Sequence, residues 1–310
     1  MFEHPMGEVR LVRPSVDYDL SPLDRGAIRI DTGFKPDVDA FERAGYALSS
    51  EPAQTTIVVV PRSKSFARAL VAEAAATSDL IIVDGQKTDG VDSIFKEIRK
   101  RIGDLPSVTK GHGRLFAFGR TDAFADWRID GPTKGDHGYW TNAGVFSDGA
   151  VDRGSEQLIK ALPEKLPARI GDFGAGWGYL ASEILKRDGV KAVDLIEAER
   201  LSLDCAALNV VDDRAAFHWA DATTYDTKAA YDAVIMNPPF HQGRKGEPSL
   251  GQAFIRSAAR NLKSNGQLWM VANRHLPYEA SLTENFRTVD EIGGDSSFKL
   301  FHATRPIGRN

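Results

Sequence analysis

The sequence predicts an α/β protein built from two similar units in tandem. Three observations carry that prediction. Short apolar runs alternate with longer segments of helical period, the pattern of βαβ units around a mostly parallel sheet. At 310 residues the chain has room for about two domains of roughly 100–200 residues each. A strand–turn–helix–strand pattern recurs at a constant offset, which pairs Ile57–Ser65 with Ile170–Gly178 and Leu80–Asp84 with Val193–Glu197 without a gap.

In chain order, residues 56–60 read as a buried strand, 63–77 as a helix and 79–83 as the next strand. Residues 92–101 form a second helix with Ile94, Phe95 and Ile98 on one face, and 115–118 a short strand. Segment 119–149 is rich in Gly, Asp and aromatic residues and has no regular period. It is placed as the connection, giving domains 1–130 and 131–310. A helix at 155–166 and a strand at 169–173 then open a second series. It continues with a helix at 178–186 and strands at 192–196, 217–220, 233–236 and 267–272, and 298–304 closes the sheet.

Composition narrows the class. Hydrophobic residues at 42% and charged residues at 26% fit a globular chain, not a disordered or fibrous one. The lone Cys205 excludes an internal disulfide and fits a reducing compartment. No apolar run approaches the roughly 18–20 residues of a membrane span, and the first residues lack a signal-peptide pattern, so a cytoplasmic location is expected. Residues 1–140 and 141–310 each carry a net charge of −2. Nucleic-acid binding, if present, must rest on local patches such as the basic 96–101 face, which is equally a solvated helix surface.

Asp172-Phe173-Gly174-Ala175-Gly176-Trp177-Gly178 follows a predicted strand and opens a helix. Glycines admit positive φ and let a ligand approach the main chain. Glu197 stands at the end of the next predicted strand, where a carboxylate can accept from both hydroxyls of a ribose. The Gly-x-Gly-x-Gly spacing differs from the dinucleotide fingerprint, and no Lys-Ser/Thr follows, which disfavours NAD and ATP. The offset sets Pro61, Ser63 and Ser65 against Gly174, Gly176 and Gly178, so only the second copy keeps such a loop.

Asn237-Pro238-Pro239-Phe240 ends the strand at 233–236. Two prolines remove two backbone donors and restrict the turn. The Asn237 side-chain carbonyl and the Pro238 main-chain carbonyl can then hold both hydrogens of an exocyclic amine. Phe240 can stack on the attached base, worth about 1–3 kcal/mol. The amine's lone pair is delocalised into its ring, and two acceptors favour pyramidalisation toward an incoming methyl group. Orientation and electrostatics suffice, and no metal is required.

The glycine loop resembles motif I of class I S-adenosyl-L-methionine-dependent methyltransferases. Asn237-Pro238-Pro239-Phe240-His241 resembles the signature of the ribosomal RNA guanine-N2 methyltransferase family, nearest to its small-subunit rRNA methyltransferase C branch. Gly144-Val145-Phe146-Ser147 and Phe298-Lys299-Leu300-Phe301-His302-Ala303 are also similar to that family, with Ala143 standing where it has Pro. The resemblance implies two Rossmann-like methyltransferase domains in tandem. The first is degenerate, and the second has a mostly parallel seven-stranded sheet. It implies S-adenosyl-L-methionine held by Phe146, Asp172, Gly174, Ala175, Gly176, Gly178, Glu197, Asp221 and Asn237, with Asp221 accepting the adenine amine. It implies Asn237, Pro238 and Phe240 as catalytic residues. Pro239, His241, Arg244 and Lys245 would meet ribosomal RNA or a ribosomal subunit. A monomer is expected, since duplication can replace dimerisation.

Competing readings stay open on the residues. Asp221 suits a loop cap, Phe146 a linker core, His241 a structural or phosphate contact, and Arg244 with Lys245 a solvated pair. The whole pattern also admits large-subunit rRNA, a protein glutamine N5-methyltransferase (where Tyr is the more familiar residue after the prolines), or an inactive RNA-binding assembly factor.

Overall fold

The computed structural model describes residues 7–146, 150–239 and 248–308. They form two units divided between Pro132 and Thr133. The first contains β1 (Val9–Val12), β2 (Ile28–Asp31), α1 (Lys35–Arg43), β3 (Ala47–Leu48), β4 (Thr55–Val59), α2 (Lys64–Thr77), β5 (Leu80–Gln86), α3 (Val91–Ile102), β6 (Ser107–Lys110) and β7 (Gly113–Gly119). Its sheet runs β3-β2-β1-β4-β5-β7-β6, and only β7 opposes the other strands. Val91, Ile94, Phe95 and Ile98 make the buried face of α3.

The second unit opens with a two-strand ribbon, β8 (Thr133–Lys134) and β9 (Trp140–Thr141). It continues through α4 (Arg153–Ala161), β10 (Arg169–Phe173), α5 (Tyr179–Ile184), β11 (Ala192–Glu197), α6 (Arg200–Asn209), β12 (Ala215–Trp219), β13 (Tyr231–Met236), α7 (Pro248–Asn261), β14 (Leu262–Asn273), α8 (Glu279–Asn285), β15 (Phe286–Gly294) and β16 (Phe298–Pro306). Its order is β12-β11-β10-β13-β14-β16-β15, with only β16 antiparallel to its fellows. Strand for strand this repeats the first unit's order. The chain is a tandem of two seven-stranded, mostly parallel sheets.

The constant offset seen in the sequence nevertheless pairs the wrong strands. Residues 57–65 belong to β4 and its loop, and β4 lies between β1 and β5, the place β13 holds in the second sheet. The true counterpart of β10 is β1, in a stretch whose elements the sequence pattern left unread. Cross-strand register fixes the equivalence. Val12 pairs with Val58 as Phe173 pairs with Met236. The Arg13 amide donates to the Asp31 carbonyl at 2.8 Å, as the Gly174 amide donates to the Ile196 carbonyl at 2.9 Å. Arg13 therefore stands at the position of Gly174, Val59 at that of Asn237 and Pro61 at that of Pro239. The backbone agrees, with φ +56° at Arg13 and +73° at Gly174. Loss of the glycine loop from the first copy holds, with Arg13-Pro14-Ser15 as the replacement.

The strand at 298–304 does not close the sheet either. β16 lies inside it, and β15 is the edge. That edge was missed because most of β15 is exposed and polar, with no apolar run to mark it.

The central strands of the second sheet are covered on both faces, hence the unbroken apolar Ala233-Val234-Ile235-Met236. Ile170, Leu195, Ala233 and Ile235 pack one way, with Leu158, Leu180 and Ala206 from the helices. Phe173, Ile196, Val234 and Met236 pack the other way, with Phe254, Ile255 and Leu282. This alternation leaves the strand ends as the free polar positions, and the candidate site lies there. Among the described residues no helix is long and apolar enough to cross a membrane.

Candidate active site

The second sheet reverses its winding between β10 and β13. The chain leaves β10 through α5 toward β11 on one side, and leaves β13 toward α7 and β14 on the other. A crevice at the carboxyl ends of the strands follows from that reversal. The Phe173–Met236 pair makes Gly174 and Asn237 the next residues on neighbouring strands. A Cβ added at Gly174 would lie 3.3 Å from the Phe254 ring and 4.0 Å from Pro239 Cδ, so glycine loop and Asn-Pro-Pro turn are in close approach.

Gly174, Gly176 and Gly178 all have positive φ, at +73°, +56° and +89°. Their surroundings differ. A Cβ at Gly178 would meet Val210 at 3.0 Å and Ala206 at 3.2 Å, so this glycine lets α5 and α6 pack. A Cβ at Gly176 would meet nothing within 4 Å, so this glycine faces open space. The Ala175 amide, like that of Gly174, is spent on the Ile196 carbonyl. The Gly176 amide donates to Glu197 Oε2 at 2.8 Å, and the Glu199 amide donates to Oε1 at 2.7 Å. Burial pushes the Glu197 carboxyl up, while those amides pull it down. Both oxygens are fixed in direction with lone pairs to spare.

Asp172 is fully buried, and neither of its oxygens has a well-formed hydrogen bond among the described residues. Burial pushes its carboxyl up to about 8. The Ala181 amide draws it down and the charge of Glu197 adds to the rise. Asp221 accepts from the Thr223 amide at 2.8 Å and the Thr223 hydroxyl at 2.7 Å through Oδ1, the loop-capping geometry. Among the described residues its Oδ2 makes no hydrogen bond. The Phe146 side chain is 46% exposed, so it is not a linker core, and its carbonyl accepts from Trp177 Nε1 at 3.3 Å beside the glycine loop.

Asn237 is buried and uses its carboxamide one-sidedly. Nδ2 donates to Asp152 Oδ2 and to Ser155 Oγ, each at 2.8 Å, and Oδ1 has no partner among the described residues. A buried amide oxygen without a partner costs about 1–3 kcal/mol, so the site is built for an incoming donor. Pro238 is buried beside it and Pro239 is exposed. Phe240, His241, Arg244 and Lys245 lie outside the described residues.

Three residues here went unread in the sequence. Asp152 and Ser155, at the start of α4, hold the Asn237 amide. Asn209 donates to the carbonyls of Trp140 and Trp177 at 2.8 Å each, tying the ribbon to the glycine loop. Asp152-x-x-Ser155 at a helix start is a legible cap, but its second task is not.

The family model described as "Methyltransferase small domain" matches residues 137–302. Ribosomal RNA small subunit methyltransferase C of Hahella chejuensis is 32% identical over 254 residues, covering 76% of this chain and 72% of that protein. The chain belongs to the ribosomal RNA small subunit methyltransferase C family. Another family member, from Shewanella loihica, is 28% identical over 82% of this chain and 78% of its own length. The family's fold is seen in the 16S rRNA N2 G1207 methyltransferase of T. thermophilus, solved in complex with AdoMet and guanosine. It superposes with a TM-score of 0.80 at 21% identity, over 98% of this chain and 90% of that one. Both seven-stranded units thus fall within one known methyltransferase architecture.

Proposed function

We propose that this chain transfers a methyl group from S-adenosyl-L-methionine to the exocyclic N2 amine of a guanosine in small-subunit ribosomal RNA. The observation that carries the reading is the buried Oδ1 of Asn237, without a partner among the described residues, at the strand end next to Gly174. It is an acceptor awaiting an N–H donor, and the guanine amine is one. The relatives' names supply the RNA and the subunit.

The residues present fit the cofactor. The open space beside Gly176 admits a ligand to the backbone, and the amide-fixed Glu197 carboxylate suits a ribose diol. Asp172, Gly174, Ala175 and Gly178 are assigned to shaping the loop, Asp221 to accepting the adenine amine through Oδ2, and Phe146 to bordering the cofactor. When bound, the cofactor supplies an electrophilic sulfonium methyl. Asn237 Oδ1 and the Pro238 carbonyl hold the two amine hydrogens, directing the nitrogen lone pair away from the ring system. As the N–C bond forms and the S–C bond breaks, positive charge grows on the nitrogen beside these acceptors, which stabilise it. The proton then leaves to water. Phe240, Pro239, His241, Arg244 and Lys245 are assigned to the RNA.

Catalysis is assigned to residues 131–310, since in the first unit Val59 offers no acceptor where Asn237 stands. The protein acts as a monomer in the cytoplasm on ribosomal RNA or an assembling subunit. Unmodified small subunits incubated with labelled cofactor and digested to nucleosides should yield N2-methylguanosine. An N6-methyladenosine product, or methylation of a release-factor glutamine instead, would overturn the assignment. Light scattering at working concentration checks the monomer.

A further inference from the structure

The reading of Asn237 as the substrate acceptor has a physical difficulty. The two ends of a carboxamide have nearly the same shape, so an unrestrained Asn presents Oδ1 in one rotamer and Nδ2 in the flipped one. A flipped Asn237 would set N–H groups against the N–H groups of the guanine amine. Nothing in Asn237-Pro238-Pro239 itself prevents the flip.

The start of α4 does. Asp152 caps that helix, its Oδ2 accepting from the Ser155 amide at 2.8 Å, so the carboxylate is anchored by backbone. The same Oδ2 accepts from Asn237 Nδ2 at 2.8 Å, far along the chain, and Ser155 Oγ takes the second Nδ2 hydrogen at 2.8 Å. A flip would bring amide oxygen to carboxylate oxygen at the same spacing and forfeit the charge-assisted bond to Asp152. The Ser155 hydroxyl can rotate to suit either orientation, so the carboxylate is what discriminates. Gly154 belongs to the device, because a Cβ there would lie 3.1 Å from Asp152 Oδ2 and 3.0 Å from the Phe298 ring.

We propose that Asp152, with Ser155, is a positioning residue for methyl transfer, locking the Asn237 carboxamide with Oδ1 toward the substrate amine. The role is electrostatic as well as steric. A carboxylate at the N–H end of an amide draws positive charge there and leaves Oδ1 more negative. As the guanine nitrogen becomes positive, that oxygen meets the growing charge. Asp152 touches neither substrate nor cofactor and acts through Asn237. The inference rests on the function proposed above.

Four variants test it, with melting temperature, cofactor affinity, kcat and KM for RNA read on each. Asp152→Asn keeps the helix cap and one acceptor but removes the charge, and kcat should fall about 10-fold. Asp152→Ala removes both and should lower kcat about 100-fold. Cofactor affinity and KM for RNA should stay within about twofold in both. Asn237→Asp sets two carboxylates together and should abolish transfer. Combining Asn237→Asp with Asp152→Asn restores a donor–acceptor pair with the roles exchanged and should recover at least about 10-fold over Asn237→Asp alone, which a merely structural Asp152 would not produce. If Asp152→Ala fails to fold, Asp152→Asn and the exchanged pair decide. A kcat within about threefold of the parent in Asp152→Asn together with no recovery in the exchanged pair overturns the inference while leaving the function intact. Absence of N2-methylguanosine from the unaltered protein overturns both.

Discussion

The Gly176 amide meets Glu197 Oε2 at 2.8 Å, tying the turn after β10 to the end of β11. The contact aims the carboxylate and leaves it room to accept two hydroxyl hydrogens. Removing it in Glu197→Ala should weaken S-adenosyl-L-methionine binding about 100-fold or more, since each charged hydrogen bond is worth about 1.5–3 kcal/mol. Titration calorimetry on the purified chain measures this directly. Unchanged affinity would move the ribose elsewhere.

Gly176→Ala and Gly178→Ala should separate binding from stability. Both residues have positive φ, which costs an L side chain about 1–2 kcal/mol. At 178 the methyl group also strikes Val210 and Ala206, adding about 1–3 kcal/mol of overpacking. At 176 it enters open space, where the cofactor is expected. Thermal melting should show Gly178→Ala as the less stable variant. Gly176→Ala should fold but lose most of its cofactor affinity.

Asp172 makes stability depend on pH with a defined sign. Its carboxyl is raised by burial to about 8, from 3.8. The folded chain therefore keeps a proton that the unfolded chain releases, and this contribution, complete below pH 3.8, is lost as pH rises toward 8. The slope is about 1.4 kcal/mol per pH unit for one proton, as an upper bound. Asp172→Asn should remove it. In cofactor-free protein, urea midpoints at pH 5.5 and 8.5 should show the variant gaining on the parent at the higher pH. A difference between the two that is constant with pH would contradict this account.

Tyr278 is fully buried, and its hydroxyl has no partner among the described residues. Tyr278→Phe deletes an unsatisfied group and should leave stability unchanged or raise it by up to about 1 kcal/mol. Gly251→Ala should cost about 2 kcal/mol or more, because its Cβ runs into the Tyr278 ring and hydroxyl. Denaturant unfolding of both variants checks the pair.

The second unit was legible in outline because its central strands carry apolar runs with chemistry at their ends. Gly174, Glu197, Asp221 and Asn237 all stand just beyond or at a strand terminus, where sequence patterns are sharpest. The first unit was half hidden. β1 carries a charge in its middle, Arg10, held by Asp31 and Glu73, and β3 has two residues. With those strands unread, the constant offset matched β4 to β10, since any two strand–turn–helix units look alike. The tandem survived the misalignment because the repetition is real at the level of topology. Partnerships such as Asp152 with Asn237 left no trace, since no local period links residues from different elements.

Arg13 keeps the left-handed backbone of its counterpart Gly174, and its guanidinium lies over the Phe66 ring, 5.1 Å from the centroid. Where a Cβ at Gly174 would press on the Phe254 ring, the first unit carries a whole arginine side chain laid across Phe66. The left-handed turn after the first strand thus forms without the glycines, so the curvature of the fold does not depend on the residues that leave room for a ligand.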